Sequence, residues 1–181
     1  LADEATGKYY LYAAVFSPDR FPNQKRRGAF HALVSEDLVN WSEPIQVFDA
    51  EATGFWADLD YWAPECHIWQ GKYYIFSSFR AEGTFRGCQC LVADNPLGPF
   101  KPIEADPVTP KGWQCLDGTL YVDRKGKPWM VFCHEWLQVF DGQMCAIPLS
   151  DDLGHAIGEP IILFRASDAP WGARLGGQDK H

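Results

Sequence analysis

Gly71-Lys72-Tyr73-Tyr74-Ile75-Phe76 has two echoes in this chain, Gly7-Lys8-Tyr9-Tyr10-Leu11-Tyr12 before it and Gly126-Lys127-Pro128-Trp129-Met130-Val131-Phe132 after it. The copies begin 64 and then 55 residues apart. A second phrase keeps step: His31-Ala32-Leu33-Val34-Ser35, Cys90-Leu91-Val92-Ala93-Asp94 and Cys145-Ala146-Ile147-Pro148-Leu149 recur at spacings of 59 and 55. Self-similarity at a long period is the mark of a repeat architecture, and one unit here holds both phrases.

In the middle unit, Cys66-His67-Ile68-Trp69 runs through Gln70-Gly71-Lys72 into Tyr73-Tyr74-Ile75-Phe76-Ser77-Ser78-Phe79, two aromatic and β-branched runs around a glycine break. That pattern predicts a hairpin. A third run spans Gly87 to Ala93, and a fourth lies near Phe100-Lys101-Pro102-Ile103, where an edge strand tolerates proline. Each unit therefore reads as a four-stranded antiparallel meander whose second and third strands carry the two phrases. Tyr9 to Val15, Tyr73 to Phe76 and Trp129 to Phe132 are apolar on both faces, whereas a sheet with one wet face alternates apolar and polar residues. Radially stacked blades cover each sheet on both sides, so the fold class is all-β, a partial β-propeller; a tandem sandwich is the competing arrangement. Three blades fit, at about 1–50, 55–105 and 113–165, with a fourth starting after 166. Closed propellers carry four to eight blades, so the ring is incomplete and the chain, which begins at Leu1, reads as a fragment.

The formal net charge of −8 excludes a polyanion-binding surface, which needs a basic footprint, so no nucleic-acid partner is expected. The one basic cluster, Lys25-Arg26-Arg27, follows Pro22 and reads as a solvated loop. No apolar run reaches the length of a membrane span and no signal-peptide pattern is present, so no membrane partner is expected either. Cys66, Cys88, Cys90, Cys115, Cys133 and Cys145 form no Cys-x-x-Cys and sit in apolar runs. Buried thiols are the favoured reading, ahead of a disulfide and a metal site. Cys88 and Cys90, two apart on a strand, point to one face.

At a propeller axis the innermost strand of each blade supplies the channel, so candidate residues precede each Gly-Lys hairpin. The segments Phe55 to Glu65 and Trp113 to Tyr121 place carboxylates beside aromatics at equivalent positions in consecutive repeats. Asp117-Gly118 could be a turn pair, but a turn already sits at Asp123-Arg124-Lys125-Gly126, which leaves a functional role open. Glu65, after Pro64, reads as a loop end or a site residue. His134-Glu135 reads as a strand terminus facing solvent or as the rim of a pocket. The aromatic content of 15% supplies rings for the gaps between blades and for stacking on sugar faces.

Trp62-Ala63-Pro64-Glu65 with the hairpin that follows it, then Leu116-Asp117-Gly118-Thr119-Leu120-Tyr121-Val122-Asp123 with Gly126-Lys127, resembles glycoside hydrolase family 43, a family of five-bladed propellers. The similarity covers nearly the whole chain; Trp-Ala-Pro is its more specific motif and Gly-Lys-Tyr-Tyr its weaker one. The resemblance implies an extracellular or periplasmic inverting glycosidase that removes arabinofuranosyl or xylosyl units from plant polysaccharide. Three carboxylates are implied: a base on the first blade, an acid-tuning, substrate-orienting residue on the third, and an acid on the fourth. Asp117 matches the middle one. Trp62, Glu65, His134 and Glu135 are the expected substrate-binding residues. The base and the acid have no match here, and Asp3 and Glu4, directly before Gly7-Lys8, are not promoted to the base. Inversion needs an acid and a base roughly 6.5–9.5 Å apart, so this chain alone is expected to be inactive. No cofactor is required; a structural calcium ion near His134 is the one metal the resemblance suggests, and no metal ligands are assigned. The competing functions are a catalytically dead, sugar-binding or scaffolding propeller, and a fructan-processing propeller, whose Asn-Asp-Pro and Arg-Asp-Pro motifs are not in the chain.

Overall fold

The computed structural model describes residues 1–14 and 28–171; the Lys25-Arg26-Arg27 cluster, and most of the segment where a fourth blade is expected to begin, lie outside the described residues. Three four-stranded antiparallel sheets follow one another along the chain, as the repeats predict. The first contains β1 (Ala2–Asp3), β2 (Lys8–Ala13), β3 (Ala29–Ser35) and β4 (Ile45–Asp49). A one-turn helix, α1 (Ala50–Thr53), leads to the second sheet of β5 (Leu59–Trp69), β6 (Lys72–Arg80), β7 (Gly87–Ala93) and β8 (Lys101–Pro102). The third contains β9 (Cys115–Val122), β10 (Pro128–His134), β11 (Gln143–Pro148) and β12 (Ile161–Arg165), with α2 (Trp136–Val139) between β10 and β11. In every sheet the strands lie in sequence order, which is the meander of a propeller blade.

The repeat phrase has a local cause. Gly7, Gly71 and Gly126 take φ of 66°, 77° and 75°, the left-handed region that side-chain-bearing residues avoid, and each turns the chain into the second strand of its sheet.

Burial shows why the middle hairpin is apolar on both faces. Tyr73, Ile75 and Phe79 of β6 join Phe30, Val47 and Phe48 of the first sheet in one core, while Tyr74 and Phe76 face the other way into a core with Met130, Phe132, Cys145 and Ile147 of the third. Burying each such large side chain contributes roughly 1.5–3 kcal/mol. Polar links run across the same seams: the Tyr12 hydroxyl donates to the Pro96 carbonyl at 2.8 Å, and Trp69 Nε1 donates to the Asp151 carbonyl at 2.7 Å. Only the second sheet is covered on both sides among the described residues. In β10 buried positions alternate with half-buried ones, and Ile161, Ile162, Leu163 and Phe164 of β12 are exposed. The expectation of two-sided cover thus holds for Tyr73 to Phe76. Among the described residues the outer sheets each have one neighbour.

The cysteines are free thiols, with Cys88, Cys90, Cys115 and Cys145 buried and Cys66 and Cys133 partly so. Cys88 and Cys90 share the core between the second and third sheets, as their spacing predicts.

Candidate active site

The first strands of the second and third sheets depart from regular pairing where the chemistry-bearing residues sit. Opposite β10, Thr119 pairs with Val131 and Leu116 with Cys133, so Asp117 and Gly118 together face Phe132 alone. That is a β-bulge, which bends a strand and re-aims a side chain. Asp117 takes a φ of 55°, tolerable for an aspartate, and its carboxylate is exposed. A side chain at Gly118 would start 2.9 Å from Cys88 Cβ and 3.0 Å from Met130 Sδ. Glycine there lets the bulged strand approach the neighbouring sheet. Asp117-Gly118 is therefore an element of β9 and not a turn; the turn is at Asp123, where Gly126 N–H donates to the Asp123 carbonyl at 2.9 Å.

β5 bulges twice. Leu59, Trp62 and Glu65 pair with Arg80, Ser78 and Phe76, leaving Asp60-Tyr61 against Phe79 and Ala63-Pro64 against Ser77. Asp60 and Ala63 take positive φ of 53° and 47°. Pro64, without an N–H, falls in a bulge where no ladder bond is lost. Trp62 stands between the two bulges with its side chain 45% exposed. The Ser77 hydroxyl donates to its carbonyl at 2.5 Å.

Behind Trp62 lies a buried ion network. Arg86, 7% exposed, donates through Nε and NH2 to Asp60 Oδ2 at 3.2 and 3.1 Å, and through NH1 to Glu135 Oε2 at 2.7 Å. Arg80 Nε donates to the same Asp60 oxygen at 2.5 Å. The Arg86 Cζ lies over the Trp62 ring, 4.0 Å from its centroid. Burial pushes the Asp60 carboxyl upward, but hydrogen bonds and charges from Arg80 and Arg86 outweigh it and hold Asp60 below its ordinary 3.8.

β5 and β9 also touch directly. Thr119 Oγ1 donates to Glu65 Oε1 at 3.1 Å, and the same carboxylate oxygen lies 2.9 Å from His67 Nε2. Burial lowers the His67 pKa, against the opposing pull of Glu65. Glu65 is thus a strand residue joining two sheets, not the end of a loop.

His134 closes β10 as a buried residue, 5% exposed, its ring stacked 4.0 Å from that of Trp113. Its Nε2 lies 2.8 Å from Gln138 Oε1 and its Nδ1 3.3 Å from Gln143 Oε1. Neither His134 nor Glu135 faces solvent, and the Glu135 carboxylate is turned to Arg86. Both His134 ring nitrogens face glutamine amides, and among the described residues no group of three His, Cys, Asp or Glu could hold a metal ion.

Of the residues expected from sequence, the structure brings Trp62, Glu65 and Asp117 together on adjacent bulged strands, and sets Glu135 and His134 behind them. Asp3 is structural: Tyr73 and Thr6 hydroxyls donate to its Oδ2 at 2.7 and 2.9 Å. Sequence reasoning missed Arg86, Asp60 and Ser78: Arg86 bonds Asp60 and Glu135, 26 and 49 residues away, and Ser78 bonds Asp117, 39 residues away. An exposed carboxylate and an exposed ring, fixed by bulges over a buried ion network, suit a polar ligand with a flat apolar face.

A model of the family described as glycosyl hydrolases family 43 matches residues 3–177. The chain is similar to xylosidase/arabinosidase 43A of Humicola insolens, 38% identical over 82 residues that make up 45% of this chain and 24% of that protein. It is 28% identical over 136 residues to the extracellular exo-alpha-(1->5)-L-arabinofuranosidase ArbA of Cellvibrio japonicus (strain Ueda107), covering 66% of this chain and 37% of that protein. The chain thus spans between about a quarter and somewhat over a third of these relatives. Among solved structures, the endo-arabinase from Bacteroides thetaiotaomicron VPI-5482 superposes with a TM-score of 0.82 at 41% identity, over 94% of this chain and 56% of that one. A thermostable family-43 glycoside hydrolase does so with a TM-score of 0.73 at 26% identity, over 91% and 51%.

Proposed function

The chain belongs to glycosyl hydrolases family 43, and on that premise we propose that it carries part of the active site of an inverting glycosidase acting on arabinofuranosyl or xylosyl linkages in plant cell-wall polysaccharide. The observation that supports this most is the placement of Asp117: an exposed carboxylate on a bulged first strand, next to the strand that carries the exposed ring of Trp62. In this reading Trp62 offers its face to a sugar ring, and Asp117 orients the substrate and tunes the proton donor to the leaving oxygen. Water then attacks the anomeric carbon from the opposite face, which inverts configuration. The acid that protonates the leaving group and the base that activates the water are not assigned to residues of this chain. Glu65 and Thr119 brace the two strands, and His134 and Glu135 support the site from behind. The similarity to the extracellular ArbA favours action outside the cell, and among the described residues no helix is long and apolar enough to cross a membrane.

The test is to incubate the full-length protein with linear arabinan and with xylo-oligosaccharides and follow the first-formed sugar by proton NMR. Release with inverted anomeric configuration is expected. Retained configuration would favour the fructan-type chemistry, and binding without release would favour a sugar-binding propeller.

A further inference from the structure

We infer that Arg86 is a positioning residue that fixes the plane of the Trp62 ring beside the Asp117 strand; the inference rests on the reading of Trp62 and Asp117 as a sugar site. A nearly buried arginine is costly to desolvate and persists where its geometry is complete. Here it is complete in a particular way. The guanidinium donates to Asp60 of the second sheet and to Glu135 after β10 of the third, while its Cζ lies over the Trp62 ring, 4.0 Å from the centroid. Asp60 already has Arg80 as a partner, so the charge of Asp60 alone does not require Arg86.

Trp62 needs such a support. Its ring is 45% exposed and belongs to neither hydrophobic core, so core packing does not set its orientation. The main chain of Arg86 extends the link to the carboxylate strand. Its N–H donates to Gln114 Oε1 at 2.8 Å and its carbonyl accepts from Cys115 N–H at 2.9 Å, two residues before Asp117. One residue therefore joins the aromatic wall to the bulge that aims Asp117. A lysine cannot replace it, because an ammonium is a point charge without the planar fork that reaches two carboxylates from over the ring.

The experiment uses the full-length protein labelled with 5-fluorotryptophan, its Trp62 resonance assigned through Trp62→Phe, in Arg86→Lys and in the double variant Arg86→Gln with Glu135→Gln. The double variant removes one charge of each sign, so it leaves no unpaired carboxylate and is expected to recover most of the thermal stability. In both variants the Trp62 fluorine resonance is expected to move. KM for arabino- or xylo-oligosaccharides is expected to rise roughly tenfold, more than kcat falls. An unmoved resonance overturns the inference, and so does a KM that returns to the wild-type value along with stability in the double variant. If the wild-type protein turns over neither substrate, the glycosidase reading falls, and the resonance alone decides the positioning role.

Discussion

The main-chain N–H of Asp117 donates to the hydroxyl of Ser78 at 3.0 Å, fastening the bulge of the third sheet to the second strand of its neighbour. Ser78 is fully buried and its backbone pairs in register with Trp62, so one residue links the two residues of the proposed sugar site. Removing it leaves a partly buried N–H unpaired at a position already held at positive φ. Ser78→Ala is expected to cost about 1–3 kcal/mol in urea unfolding and to lower turnover about tenfold, because the bulge relaxes. Unchanged turnover in a destabilised variant would separate the bond from the site.

Gly118 lets the sheets meet. A methyl group there would collide with Cys88 and Met130, neither of which can swing into solvent. Gly118→Ala is expected to lower stability by roughly 1–3 kcal/mol, measured by chemical denaturation.

Acid should loosen the seam between the first two sheets. Burial would raise the pKa of Asp3, but hydrogen bonds from Tyr73, Thr6 and the Ala5 N–H outweigh it and bring the carboxyl below its ordinary 3.8. A depressed carboxylate contributes stability that is present above its unfolded value and lost as pH falls through the folded one. Tyr73→Phe removes one of these donors. The stability difference between wild type and variant, about 1 kcal/mol at pH 7, is expected to narrow below pH about 3.8 in a series of pH-dependent melts.

Burial pushes the thiol of Cys88 up to about 12 and those of Cys66 and Cys145 to about 11. Native protein at pH 8 is therefore expected to react slowly with a thiol-titrating disulfide reagent. After unfolding without reductant, all six cysteines should react. A shortfall of two would point to a disulfide.

The blades were legible because their cause is local. Gly71 turns the chain, Tyr73 to Phe76 bury on both sides, and the same phrase recurs at Gly7 and Gly126. The region of the candidate site was legible too, since it lies on the strand that precedes each hairpin. What could not be read is register. Asp117, Ala63 and Asp60 owe their positions to bulges, and a bulge is a relation between two strands that neither strand's residues announce. The same holds for Arg86: in sequence it follows a loop break at Ala81 to Thr84, and only the arrival of Asp60 and Glu135 from two sheets buries it. Glu135 reads in sequence as a solvent-facing terminus or a pocket rim for the same reason, and it is buried by a partner 49 residues upstream.

The central claim is that Asp117 serves chemistry and not folding. Its carboxylate is exposed, its N–H bond to Ser78 does not depend on charge, and asparagine tolerates positive φ as well as aspartate does. The most direct measurement is therefore the turnover of an aryl arabinofuranoside by full-length Asp117→Asn beside its melting temperature. The account predicts a loss on the order of a hundredfold or more in kcat/KM with an unchanged melt. Wild-type turnover in the variant would contradict it.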